Sequence, residues 1–149
     1  MSITATELAE IDAFLRAWKD VTLATADAHG KPQAATIGIA VSDLREIVFD
    51  TLASTRKHSN LLANQCVSLV VGWDDHKTLQ LDGIADALTP GSPDYERLQA
   101  VYLARFPEGR ERLGWDGITY FRVRPTWLRY SDYSAAPRIF ELAADALRR

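Results

Sequence analysis

The chain has 149 residues, 47% of them apolar and 25% charged, which is the composition of one globular domain spanning residues 1–149 with enough chain to bury a core unaided. Seventeen Lys and Arg against twenty Asp and Glu leave a net charge of -3, which argues against a nucleic-acid binder, since that needs a concentrated positive surface. Cys66 is the single cysteine, so an intrachain disulfide and a cysteine-ligated zinc site are both excluded. The first residues mix acids with apolar side chains and form no continuous apolar run, so neither a signal peptide nor a membrane span is expected, and a cytoplasmic protein is.

In chain order, Leu8, Ile11, Leu15 and Trp18 share one face, with Phe14 beside them, and predict a helix that Thr4 or Thr6 can cap. Val21 to Asp27 alternates as a strand, and Ala28 to Lys31 forms a hairpin turn that Pro32 closes. A second strand is expected from Gln33 to Val41. One of its faces carries Ala35, Ile37, Ile39 and Val41, and the other carries the small residues Ala34, Thr36, Gly38 and Ala40. Ser42 and Asp43 turn the chain into a third strand, Glu46 to Thr51. Ser54 to Asn64 reads as a short helix capped by Ser54 or Thr55.

Cys66 to Trp73 is strongly β-like, Asp74 and Asp75 turn, and Lys77 to Leu88 is a long strand in which Gly83 marks a bulge or bend. Ser92-Pro93-Asp94 starts a helix that Pro107 stops. Gly117 to Val123 and Trp127 to Tyr133 are read as two strands broken by Pro125, and the tail from Ala136 as helical at its end. Strands in hairpins with helices inserted between them imply an α+β or barrel architecture rather than a βαβ fold.

The most informative stretch is Phe49 to His58, where a strand ends and a helix begins. Arg56 and Lys57 fall in the first helical turn, where the helix dipole prefers negative charge. A bound phosphate resolves that conflict by drawing backbone N–H groups, guanidinium and ammonium to one point, with Thr51, Ser54 and Thr55 as added donors. Solvated surface charges are the other reading, because the dipole effect is only ~0.3–1 kcal/mol. The small-residue face of the second strand either lets a planar ring approach the backbone or fills a narrow part of a barrel. Arg105, Arg110 and Arg112 flank a Pro-Gly stretch and read as a solvated charge cluster or as a positive patch facing an anionic substrate. His29 and His76 read as solvent-exposed, and no spacing suggests a metal site.

At these residues the chain resembles the pyridoxamine 5′-phosphate oxidase-like family. The likeness rests on Ala24-Thr25 followed by Asp27 and Gly30-Lys31-Pro32, on Thr51 with Arg56-Lys57 and Asn60-Leu61, and on Val67-Ser68-Leu69 followed by a strand with Gly83. It covers Val21 to Leu88 well and Phe121 to Tyr133 loosely. The resemblance implies a mainly β (α+β) fold, a six-stranded antiparallel split β-barrel with flanking helices, in a homodimer that holds FMN at the interface. By position, Arg56 and Lys57 match the basic pair on the FMN phosphate. Thr51 matches the threonine ending the third strand, and Asp50 its neighbour whose backbone lines the site. Ala35, Thr36, Ile37 and Gly38 match the stretch beside the isoalloxazine. Thr78 matches a polar position on the fifth strand, and Arg129 and Tyr130 lie on the final strands near the cofactor.

The family's true oxidases carry an arginine where Ala35 stands, and an arginine- and histidine-bearing terminal segment that Pro137 to Leu142 does not reproduce. The resemblance therefore implies an FMN-dependent oxidoreductase acting on a small-molecule substrate or electron donor, other than a true pyridoxamine phosphate oxidase. A deazaflavin coenzyme in the same fold is one alternative, and a non-catalytic flavin- or haem-binding module is another. Neither nucleic acid nor membrane is an expected partner.

Overall fold

The protein is described from a computed structural model over residues 2–148. Helix α1 (Ala5–Ala17) starts at Thr4, whose hydroxyl accepts from the Glu7 N–H at 3.2 Å while the Glu7 carboxylate accepts from the Thr4 N–H at 2.8 Å. Of the two threonines able to cap, the one with glutamate three residues on is used, because the reciprocal pair satisfies two orphan donors. Strands β1 (Asp20–Ala26) and β2 (Pro32–Gly38) form the first hairpin, followed by β3 (Ala40–Val41) and β4 (Ile47–Leu52). Helix α2 (Arg56–Ala63) leads to β5 (Cys66–Val71) and β6 (Lys77–Ala87). Helix α3 (Pro93–Arg105) is capped by Ser92 with Pro93 in its first turn, as its sequence predicts, and runs into a 3₁₀ helix, Pro107–Arg112. Strands β7 (Ile118–Asp132) and β8 (Arg138–Ala143) and the short helix α4 (Ala144–Leu147) complete the chain.

All strand pairs are antiparallel, in the order β2-β1-β5-β6-β7-β4-β3 with β8 added beside β7. The first and last strands of that order, β2 and β3, are separated in the chain only by Ile39. The sheet is therefore curled until its two ends meet, which makes a barrel. The expected second strand divides at Ile39: its N–H makes the next rung of the β1–β2 register with the Lys19 carbonyl at 2.8 Å, and beyond it Ala40 and Val41 pair with β4 instead. Counting β2 and β3 as one, six strands build the barrel, and β8 is an addition that the sequence did not disclose.

The expected break at Pro125 does not occur, and β7 runs through it. Pro125 pairs with Gly83 where the β6–β7 register shifts between Asp82 and Gly83, so its missing N–H falls at an irregularity in the ladder. Inward residues Val21, Leu23, Phe49, Leu69, Leu79, Leu81 and Phe121 fill the barrel. Helix α1 stops one mouth with Ile11 and Leu15, and α2 stops the other with Leu61. Helix α3 packs Leu98, Tyr102 and Leu103 on the outer side of β4 and β7, against Val48 and Tyr120, as a second core. Among the described residues no helix is long and apolar enough to cross a membrane.

Candidate functional site: the start of helix α2

The chain leaves β4 at Leu52 and enters α2 four residues later. The turn is held by Ala53 N–H to the Gly117 carbonyl at 2.8 Å and by Thr55 N–H to the Leu52 carbonyl at 3.0 Å. Thr55 is the N-cap: its hydroxyl accepts from the His58 N–H at 3.3 Å and donates to the Leu52 carbonyl at 2.9 Å. That use of its proton makes Thr51 the donor in the 2.9 Å contact between the two hydroxyls. The His58 ring stands edge-on to Phe121, 5.6 Å between centroids, with Nε2 3.3 Å from the Thr119 hydroxyl. Asn60, buried one turn later, donates to the Thr25 hydroxyl at 3.1 Å and fixes α2 to β1.

This framework positions Arg56 and Lys57. The first turn of α2 contains no acid. Neither cation makes a hydrogen bond or ion pair with a described residue, while their own N–H groups are those a helix start leaves free. The Arg56 charge reaches Asp27, in the β1–β2 turn. Its carboxyl is held below the ordinary carboxylate range chiefly by the Lys31 N–H, then by the His29 N–H, with smaller contributions from the Lys31 and Arg56 charges. Two cations, free N–H groups and the positive helix end thus share the start of α2, with no carboxylate in hydrogen-bond or ion-pair contact among the described residues.

The other site residues expected from the sequence divide. Thr51 is buried at the same place as Thr55. Asp50 turns its side chain the opposite way: its carboxylate accepts from the Tyr102 hydroxyl at 2.9 Å and from Arg112 Nε at 2.8 Å, so only its backbone faces the barrel end. Ile37 is buried inside the barrel and Ala35, opposite Leu23, shares its inward face. Ala34 and Thr36 are exposed on the outer face. Gly38 shares that face, but its open flank is occupied by an aromatic ring of this chain, since a Cβ there would stand 2.9 Å from Phe106 Cζ.

Thr78 lies in the sheet row of Asp20 and Gly38, whereas α2 sits at the row of Ala26 and Pro32. Six strand residues, about 20 Å, separate these rows, so one chain does not bring Thr78 to Arg56. Tyr130 is in the core with its hydroxyl 3.4 Å from Glu10, and Arg129 pairs with Glu141 at 3.5 Å. Both lie on β7, where the strand alternation turns Tyr130 inward and Arg129 out towards Glu141. Sequence reasoning missed Thr119 and the Phe106 cover, which arise from contacts between segments far apart in the chain.

The family model described as pyridoxamine 5′-phosphate oxidase matches residues 8–132. A pyridoxine/pyridoxamine 5′-phosphate oxidase of Paraburkholderia phymatum is 33% identical over 106 residues, 70% of this chain and 47% of that protein. The chain thus spans about half the length of that relative. A pyridoxamine 5′-phosphate oxidase-related, FMN-binding protein of Nostoc punctiforme superposes with a TM-score of 0.68 at 14% identity, over 96% of this chain and 98% of that one. A haem-binding protein of Mycobacterium smegmatis superposes with a TM-score of 0.79 at 17% identity, over 99% of this chain and 61% of that one. At such identities the structures speak for the fold, a split barrel with flanking helices, and the matched span of sequence places this chain in the pyridoxamine 5′-phosphate oxidase family.

Proposed function

We propose that the chain binds FMN and acts as a flavin-dependent oxidoreductase, with the phosphate received by Arg56, Lys57 and the free N–H groups at the start of α2. The observation that carries this reading is the pair of unpartnered cations in an acid-free first helical turn, an arrangement that local electrostatics disfavours and a bound phosphate reverses. The hydroxyls of Thr51 and Thr55 border the same point. Bound flavin supplies the electron and hydride chemistry itself, so the protein's part is to hold it, orient a small substrate or electron donor, and exclude water.

The Thr36 face and Thr78 lie away from α2 in one chain, so a flavin that uses both ends needs a second copy, and a homodimer belongs to the proposal. Exposed Val70 and Ile84 on the outer sheet face favour the same association. A deazaflavin coenzyme in the same fold is the second reading: Ala35 stands where an arginine would add a ligand to the FMN phosphate, which weakens the preference for FMN.

The test is the visible spectrum of purified protein before and after incubation with excess FMN and desalting, with light scattering for mass. Retained flavin bands on a particle of twice the chain mass support the reading. Retention of a deazaflavin coenzyme but not FMN transfers support to the second. Retention of neither overturns both.

A further inference from the structure

A second positive site lies elsewhere, in a cleft of about 290 Å³ between the last turn of α1, β3 and α3, lined by Arg16, Trp18, Ile39–Val41, Val101, Ala104 and Arg105. Arg16 donates to the carbonyls of Val41 and Ser42, both at 2.9 Å, and Arg105 to those of Arg16 at 3.0 Å and Ala17 at 3.3 Å. These bonds fix both side chains but supply no counter-charge beyond the partial charge of a helix end. The other arginines that are not fully exposed, Arg45, Arg112, Arg122 and Arg129, each pair with a carboxylate. Arg16 and Arg105 pair with none among the described residues, and both line this one cleft. Lys19, beside Trp18, lays its ammonium over the Phe106 ring at 5.9 Å and adds to the positive field without an acid of its own.

A guanidinium carries five N–H donors, and the carbonyl bonds leave several unused on each arginine. The rest of the lining has no hydroxyl, amide or acid, and the Trp18 indole nitrogen is turned toward Gly72, 2.7 Å from where a Cβ on that glycine would stand. A phosphate, with more charge and more acceptors, is poorly served by such walls. The N–H groups that the carbonyl bonds leave free on Arg16 and Arg105 suit a single carboxylate between them, and an apolar body matches Ile39, Ala40, Val41 and Val101. The volume stands at the lower end for small-molecule sites.

We propose that this cleft binds a small carboxylate with a compact apolar body, aromatic or branched, held head-first between Arg16 and Arg105. The site lies apart from α2 and does not rest on the flavin reading. The test is titration of the full chain with benzoate, followed by calorimetry and by amide NMR shifts, in the presence and absence of FMN. Saturable binding at or below about 1 mM is expected, about tenfold weaker or more for neutral benzamide, for acetate and for the Arg105→Gln variant. Ala104→Trp, at an exposed position of α3 on the cleft wall, fills the cleft while keeping both arginines, and is expected to abolish binding with an unchanged melting temperature. Absence of saturation at about 10 mM overturns the proposal. So does equal binding of benzamide, or inorganic phosphate matching benzoate at the same shifted amides, or benzoate affinity unchanged in both variants.

Discussion

Tyr102 gives its hydroxyl proton to the Asp50 carboxylate at 2.9 Å, and Arg112 closes the group with 2.8 Å to Asp50 and 3.1 Å to the Tyr102 oxygen. Burial, then the Asp50 charge, pushes the Tyr102 phenol well above its ordinary range, so this proton stays in place at any physiological pH. Strand β4 thus presents Asp50 to α3 and Thr51 to the barrel end, as the period of two requires.

Asp50→Ala is therefore expected to act on stability and leave the anion site alone. It strands a half-buried guanidinium and a buried hydroxyl, and the expected loss is about 1–3 kcal/mol in urea unfolding. FMN affinity of the folded variant should stay within about twofold, since the carboxylate faces away from α2. A folded Asp50→Ala protein that loses FMN would make the carboxylate itself a ligand.

Acid sensitivity follows from Glu46. Its carboxyl is held below the ordinary 4.5 chiefly by the Arg97 hydrogen bonds, against burial, with Ser42 and Arg122 adding to the effect. The unfolded chain takes up this proton near pH 4.5 and the folded chain only at lower pH, so the contribution is complete above that value and fades as pH falls below it. Glu46→Gln should cost about 1.5–3 kcal/mol at pH 7. Between pH 5 and 3 its stability should fall less steeply than that of the parent. Parallel pH curves for the two proteins would exclude Glu46 from the acid response.

Gly83 tests the bulge. A Cβ there would stand 2.5 Å from Val123 Cγ1 and 2.8 Å from the Arg124 carbonyl oxygen, and the backbone atom has little room to yield. Gly83→Ala is expected to cost about 1–3 kcal/mol, the range for overpacking a well-filled site. An unchanged unfolding midpoint would mean that the β6–β7 ladder shifts freely at this point.

Gly83 also marks how far the sequence can be read. Alternation in β1, β5 and β6, the Thr4 and Ser92 caps, and the basic pair opening α2 are local signals, and the structure contains each. The continuity of β7 was hidden because Pro125 breaks a strand by local rules, while its position opposite the Gly83 irregularity is a property of pairing. Strand β8, Arg138–Ala143, carries charges at Arg138 and Glu141 and gains its conformation from the β7 ladder. The ring that meets Gly38 is Phe106, placed there by the length of α3, a contact no window of sequence contains. Within the candidate site, Arg56, Lys57 and Thr51 were legible from their order along the chain. Thr119 was not, because it reaches the site only through its register opposite Thr51.

The decisive prediction joins stability to binding at Arg56 and Lys57. In the protein without ligand these cations oppose the dipole of α2 and have no partner, so replacing both with alanine should leave stability unchanged or raise it by up to ~1 kcal/mol. With FMN the sign reverses. Charge-assisted bonds contribute on the order of 1.5–3 kcal/mol each, so the double variant should bind FMN at least about tenfold more weakly. Added FMN should then raise the melting temperature of the parent protein and much less that of the variant, because ligand stabilisation follows affinity. Equal FMN shifts in the two proteins would show that the basic pair is a solvated surface feature and that any flavin site lies elsewhere. A variant that is less stable without ligand would instead assign Arg56 or Lys57 a role within the fold.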